Sequence, residues 1–338
     1  MTDSTGKIDR ALFESAVFPY LGDDREDVAV GPQHGVDFGV LAVDGRAVVL
    51  ATDPVSVLPE LGFERAGRFA LDIVLADVAV SGIAPTHLTV SLSLPPALAD
   101  EDLATLWRAM HDRAAELGVS VVSGHTARYD GVEFPWVGAA TALGVGEMDA
   151  VVRPDGARPG DAVVVTTGPG AETAGLFASL FGERLGLPAG TVATTSERLD
   201  DTGAVRDAAA AASAGRVTAM HDATEGGIQG GFVEMADGAG VRFDVERTAV
   251  PEAPGVAAVC GALDVDPWQV TSAGTLLVTV ASADAGDVVA ALRERGTRAT
   301  VVGRVSEGEG VFVDGERVEH PGSDPSWAVF QELSGGTQ

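Results

Sequence analysis

Three aspartates sit where a carboxylate could do more than hydrate a surface. They are Asp37 in Gly35-Val36-Asp37, Asp53 in Ala51-Thr52-Asp53-Pro54, and Asp77 in the apolar run Ile73 to Val80. Carboxylate oxygens suit Mg2+, which keeps waters and substrate phosphates in its shell and takes one or two ligands from the protein. The three acids belong to different elements, so sharing a cation requires them to converge at one sheet edge. Each also has a simpler reading. Asp37, close to His34, and Asp53 can be turn residues. Asp77 must find a partner, because a carboxylate inside an apolar helix is costly unless paired or metal-bound; Arg65 or Arg68 could supply it.

Two longer segments add donors. In Ser123-Gly124-His125-Thr126, small residues would let the backbone approach a ligand, while His and Thr offer a donor or a metal ligand. A polar turn after a strand over 119–122 is the alternative. In His221-Asp222-Ala223-Thr224-Glu225-Gly226-Gly227, free amides at a helix start and permissive glycines make an anion site. A capping box with Thr224 or Asp222 as N-cap explains one polar residue there, not seven in this order. His221 and Asp222 are the candidate catalytic pair; His221 and His125 titrate near neutrality and can move protons. Thr167-Gly168-Pro169-Gly170-Ala171-Glu172 precedes a helix and reads as a tight turn. GxxxxGK[ST], GxGxxG and GxSxG are all absent, so a Walker loop is excluded and a Rossmann dehydrogenase or serine hydrolase has little support.

The elements that must position these residues follow from hydrophobic period. Strands are expected at 36–43 and 46–52 around an Asp44-Gly45 hairpin turn, and at 86–93, 119–122 and 136–145. Helices are expected at 63–80 and, with Asp100 as N-cap and Gly118 as terminator, at 103–117. The first half reads ββαβαββ, with its helices on one side of a sheet. A turn-rich joint at 153–161 leads to a second α/β series: strands at 162–166, 216–220, 275–281 and 300–305 alternate with helices at 172–181, 202–214, 226–236 and 284–295. The expected division is an extension (1–30), a first domain (31–150), a second domain (151–310), and a hairpin with a loosely attached tail (311–338).

Composition bounds the function. A chain of 338 residues, 46% of them apolar, fits two packed domains. Fifty acids face 22 bases for a net charge of −28, and Lys7 is the only lysine. Such a surface keeps a protein hydrated and dispersed in strong salt, which points to a halophilic cytosol. It leaves no basic stripe for nucleic acid. The most apolar stretch, 69–84, is interrupted by Asp72 and Asp77 and too short to span a bilayer, and the N-terminus has no signal-peptide core. Cys260 is the sole cysteine, which excludes an internal disulfide, a thiolate zinc site and a CxxC pair.

In this order, the motifs resemble the superfamily of aminoimidazole ribonucleotide synthase (PurM), thiamine-monophosphate kinase (ThiL), selenophosphate synthetase (SelD) and the hydrogenase-maturation protein HypE. The likeness spans roughly residues 30–305 and is greatest to the archaeal HypE-related, AIR synthase-related branch. Gly35-Val36-Asp37 resembles its G-(E/D)-D-A-A-V segment, Ala51 to Pro54 its strand-end Asp motif, Ala76 to Ala79 its N-D-(I/L)-A motif, Gly124 to Thr126 its G-(D/H)-T motif, and Ala219 to Gly227 its most specific signature. The resemblance implies an α/β (α+β) PurM-like architecture. Its N-terminal domain forms a shared β-barrel in a homodimer, and ATP binds between that domain and a C-terminal α/β domain. It implies ATP and Mg2+ as cofactors, with Asp37, Asp53 and Asp77 as metal ligands. Gly124, His125 and Thr126 would line the nucleotide site, and Asp222 to Gly227, with Thr224, Glu225 and Gly226 between them, would touch phosphates. The implied activity is ATP-dependent activation of a carbonyl, amide or phosphate acceptor by a cytoplasmic enzyme. A nucleotide-binding accessory protein and a small-molecule kinase of the thiamine-monophosphate kinase type are the alternatives. Three features depart from the family. HypE carries its thiocarbamoyl group on a C-terminal cysteine, whereas this chain ends Ser334-Gly335-Gly336-Thr337-Gln338; Ala76 replaces the usual Asn; His125 replaces the Asp of several branches.

Overall fold

The apolar alternation at 46–57 builds a longer strand than its Thr52-Asp53-Pro54 ending predicts. In the computed structural model, which describes residues 8, 10–33 and 35–335, that strand runs from Arg46 to Ser56 and buries Ala47, Val49, Ala51 and Val55 on one face. His34, Lys7 and the last three residues of the tail lie outside the described residues. After α1 (Arg10–Leu12), a six-stranded sheet comprises β1 (Val28–Val30), β2 (Gly39–Val43), β3 (Arg46–Ser56), β4 (Pro85–Leu94), β5 (Ser120–Arg128) and β6 (Trp136–Glu147). The strand order is β1-β2-β3-β6-β4-β5, and only β4 and β5 pair in parallel. Asp44 and Gly45, both at positive φ, close the expected two-residue hairpin.

Two helices, α2 (Phe63–Val80) and α3 (Asp100–Leu117), pack on one face of this sheet. Among the described residues the other face is uncovered; it carries Val28, Val43 and Val145, which are 39–45% exposed. Asp100 is the first residue of α3 rather than its cap; Ala99 holds that position and the Asp100 carboxylate pairs with Arg128. Gly118, left-handed, ends α3 as expected.

The second sheet contains β7 (Asp161–Thr166), β8 (Val217–Asp222), β9 (Arg242–Val245), β10 (Leu276–Ala281), β11 (Ala299–Ser306), β12 (Gly310–Val313) and β13 (Glu316–Val318), in the order β13-β12-β9-β11-β7-β10-β8. Its helices are α4 (Ala171–Phe181), α5 (Ala189–Ser196), α6 (Val205–Ala214), α7 (Gly227–Ala239), α8 (Val256–Ala262), α9 (Ala285–Glu294) and α10 (Pro325–Gly335). Strand β7 is buried along its whole length, which its unbroken apolar run requires. On one face, Val164, Met220 and Val278 join α6, α9 and the first domain's α2 in a single core. On the other, Val163, Ala219 and Leu277 pack on Ile228 and Phe232 of α7.

The tail is not loosely attached. Helix α10 sets Val329, Phe330 and Leu333 against a third cluster formed by α4 and α8. No helix among the described residues is long and apolar enough to cross a membrane.

Candidate functional site

The row of β3 that buries Val49 and Ala51 also carries Asp53, so this carboxylate faces α2 instead of solvent. Asp77 lies on the buried side of α2. The loop between β1 and β2 brings Asp37, and the last residue of β8 brings Asp222. All four carboxylates line one cavity of about 470 Å3, together with Thr224 and Glu225. Its apolar and aromatic lining includes Phe69, Ile73, Trp136, Phe177, Trp327 and Phe330.

Charge balance separates this cavity from ordinary acidic surface. Two aspartates of α2 are buried. Asp72 is answered by Arg113 at 2.7 Å. Among the described residues no arginine answers Asp77: Arg65 pairs with Asp200 and Arg68 with Glu116, so the partners expected from the sequence are engaged elsewhere. Burial, with Asp222, Asp53 and Asp37 close by, pushes the Asp77 carboxyl well above the usual carboxylate range. Four acids of one sign around a buried position call for a cation.

His221 adds a nitrogen. It is 2% exposed, and its Nε2–H donates to Glu234 on α7 at 2.8 Å. Its Nδ1 stands 3.6 Å from both Asp37 and Asp222. Burial works to lower the pKa of this imidazole, but Asp222, Glu234 and Asp37 together raise it to about 10. Nδ1 of His221 and Oδ1 of Asp222 are buried with no hydrogen-bond partner among the described residues. One ligand atom each from Asp37, His221 and Asp222 lies within 4.8 Å of the others.

The remaining expectations fare differently. Gly124, His125 and Thr126 are not in a loop and not at this cavity. They continue β5, paired in parallel with β4, and are exposed. A Cβ at Gly124 would fall 2.5 Å from the Val90 carbonyl, so the glycine permits the close approach of the two strands. His125 binds Tyr129 at 2.9 Å. At the start of α7 the N-cap is Gly226, with no side-chain cap, which removes the capping-box alternative. Gly227, at φ 61°, packs against the 268–270 backbone, where a Cβ would meet the Trp268 carbonyl at 2.5 Å. Neither glycine lines the cavity.

Sequence reasoning passed over Glu172, Glu234 and the aromatic wall. Glu172, in the segment read as a tight turn, lines the cavity and accepts from the Ala273 amide and the Thr271 hydroxyl. Trp327 and Phe330 were legible as an i, i+3 apolar pair in the tail.

Comparisons with known proteins agree with this architecture. Residues 35–145 match the AIR synthase related protein N-terminal domain, and residues 158–316 match its C-terminal domain. The chain is 30% identical over 285 residues to carbamoyl dehydratase HypE of Rhizobium leguminosarum bv. viciae, covering 82% of this chain and 79% of that protein. It is 24% identical over 338 residues to a Methanocaldococcus jannaschii protein named for hydrogenase expression/formation, covering 96% and 97%. Among solved structures, E. coli HypE aligns with a TM-score of 0.70 at 25% identity, over 81% of this chain and 86% of that one. AaThiL complexed with AMPPCP and TMP aligns with a TM-score of 0.69 at 24% identity, over 86% and 90%, a likeness of fold.

Proposed function

The chain belongs to the AIR synthase-related family that includes carbamoyl dehydratase HypE, and from that membership we propose that it is an ATP-using enzyme whose cavity binds nucleotide phosphates through divalent cations on its carboxylates. The observation that carries this reading is the buried Asp77, which meets three other aspartates and no arginine. The orphaned atoms of His221 and Asp222 fit a cation as well. Mg2+ held by Asp37, Asp53, Asp77 and Asp222 would supply the positive charge that phosphate oxygens need in an otherwise acidic protein. The aromatic lining of the cavity suits a flat ring, held between side chains that exclude water. Glu172, also on the cavity wall, stays fixed by its two donors.

HypE-type chemistry on Cys260 has no support: it is 1% exposed within the α4–α8 cluster, and burial pushes its thiol up to about 12, so the thiolate is inaccessible. A small-molecule kinase in the manner of ThiL is the second reading, favoured by the cavity's aromatic lining.

A thermal-shift series in molar KCl tests the proposal. Mg2+ with ATP is expected to raise Tm by roughly 5 °C at saturating ligand, and Asp53→Asn to lose that shift. No response in either protein would sink the nucleotide reading. ADP release coupled to a phosphorylated product would select the kinase, whereas binding without turnover would select the accessory role.

The uncovered face of the first sheet supports a homodimer in which two such faces join. Val28, Val43 and Val145 lie together on it, and joining the faces removes their apolar surface from water. Light scattering in high salt is expected to report two chains, and Val145→Glu a monomer. A monomeric wild-type protein would refute the joined sheets.

A further inference from the structure

We infer that the cation site of this cavity is a mixed nitrogen–oxygen site, with His221 Nδ1 beside Asp37 and Asp222, and that it takes a first-row transition cation such as Mn2+ in preference to Mg2+. The inference rests on the reading that a cation occupies the cavity, and it names which class of cation that is.

The geometry is specific. Glu234, 2.8 Å from Nε2, holds the ring so that Nδ1 faces the two aspartates, and a cation bound there would take the place of the Nδ1 proton. That nitrogen faces the Asp37 and Asp222 carboxylates at 3.6 Å, too far for a hydrogen bond and with acceptors on both sides. In the metal-free site the protonated imidazole supplies the positive charge beside the two carboxylates; a divalent cation would supply it instead and gather all three groups as ligands. Both Nδ1 of His221 and Oδ1 of Asp222 are otherwise unsatisfied. The second ring nitrogen held by a carboxylate is the arrangement that orients metal-binding histidines and raises their basicity. Glu234 is itself set close to a second histidine, His320, 3.8 Å away.

Ligand type then decides the metal. An all-oxygen set suits Mg2+, while an imidazole nitrogen favours the later divalent cations of the first row. Asp53 and Asp77 remain as oxygen ligands at the neighbouring wall of the same cavity, so the pocket offers a nitrogen-bearing position beside an oxygen-only one.

The test uses the full chain, stripped with a chelator and loaded with Mn2+ alone in molar KCl. Electron spin-echo modulation is expected to show nitrogen coupling to the bound Mn2+, lost in His221→Ala. By titration, His221→Ala should weaken Mn2+ at least tenfold and Mg2+ less than twofold. Glu234→Gln should keep the nitrogen coupling and weaken Mn2+ about tenfold. Mn2+ bound without nitrogen coupling in the wild-type protein, or no Mn2+ bound, overturns the inference, and neither result depends on a variant that folds. Equal weakening of both cations in His221→Ala overturns it too. Such a failure would leave intact a nucleotide-dependent shift in Tm with Mg2+. Nitrogen coupling without any nucleotide effect would retain this site and remove the enzyme reading.

Discussion

Asp77→Asn is expected to raise the stability of the metal-free protein and to abolish its response to Mg2+ and ATP. Most buried carboxylates lose stability when removed because they leave a partner behind; Asp72, with Arg113 at 2.7 Å, is such a case. Asp77 leaves only Asp37, Asp53 and Asp222, so neutralising it relieves repulsion and desolvation, by about 1–2 kcal/mol. The pH dependence follows. The folded-state pKa is raised above the unfolded value near ~3.9, so the folded state binds the extra proton. Stability is therefore fully present below the unfolded pKa and is lost as pH rises through the folded one. The metal-free wild-type protein should be less stable at pH 8 than at pH 5, and Asp77→Asn should reduce that slope, leaving the part that His221, raised to about 10, contributes in the same direction. Glu116 acts in a separate window. Arg68 and Arg113 lower its pKa to about 2, so its contribution fades only as pH falls below the ordinary glutamate range. With metal and nucleotide at a hundred times Kd, the wild-type protein should gain about 2.7 kcal/mol that the variant does not. Turnover should fall by about 10²–10³, as when one fixed charge-stabilising group is removed. Urea unfolding at both pH values, with chelator and then with Mg2+ and ATP, decides it. A destabilised metal-free variant that still responded to nucleotide would show that Asp77 is structural.

Why Asp77 was legible and its surroundings were not is a matter of distance along the chain. An acid in an apolar helix is a local contradiction, visible in Ile73 to Val80 alone. Its nearest cations in sequence, Arg65 and Arg68, were the natural partners. They are claimed by Asp200 of the second domain and Glu116 of α3, which only tertiary packing could reveal. The same limit hid Glu234, thirteen residues from His221 but across a strand-to-helix connection. Glycines were read too generously. Gly124 and Gly227 permit close approach, as expected, but the atoms approaching are the chain's own carbonyls of Val90 and Trp268. Strand ends were placed short because polar residues were taken to stop a strand. Asp53 and His221-Asp222 instead lie within β3 and β8, since a strand lining a cavity can turn polar groups inward.

Removing α10 is the second large perturbation. Phe330 packs edge-on against Phe177 and Phe181, at 6.2 and 5.7 Å between ring centres. The Trp327 ring centre lies 6.4 Å from that of Trp136 of β6, and both rings line the cavity, so the helix ties the second domain to the first there. Asp324 anchors its start, accepting from the Thr271 amide at 2.7 Å and from the Ser326 amide and hydroxyl. A chain ended after Gly322 loses these rings and leaves the Thr271 amide without its acceptor, which should cost about 3–5 kcal/mol. Phe330→Ala alone should cost about 2–3 kcal/mol, because the ring is only partly buried. Trp327→Ala separates support from recognition. Its ring is half-buried and lines the cavity, so stability should change less than in Phe330→Ala while nucleotide or acceptor affinity falls about tenfold. That drop corresponds to the roughly 1.4 kcal/mol expected of one aromatic contact with a bound ring. Urea midpoints and ligand titrations on the three variants read the two effects apart. If the shortened chain kept both its midpoint and its affinity, α10 would be a bystander and the cavity's aromatic lining would belong to the two domains without it. If Trp327→Ala lost stability but not affinity, the tail would be a brace alone, and the flat ring would have to bind against Phe69 and Ile73 instead.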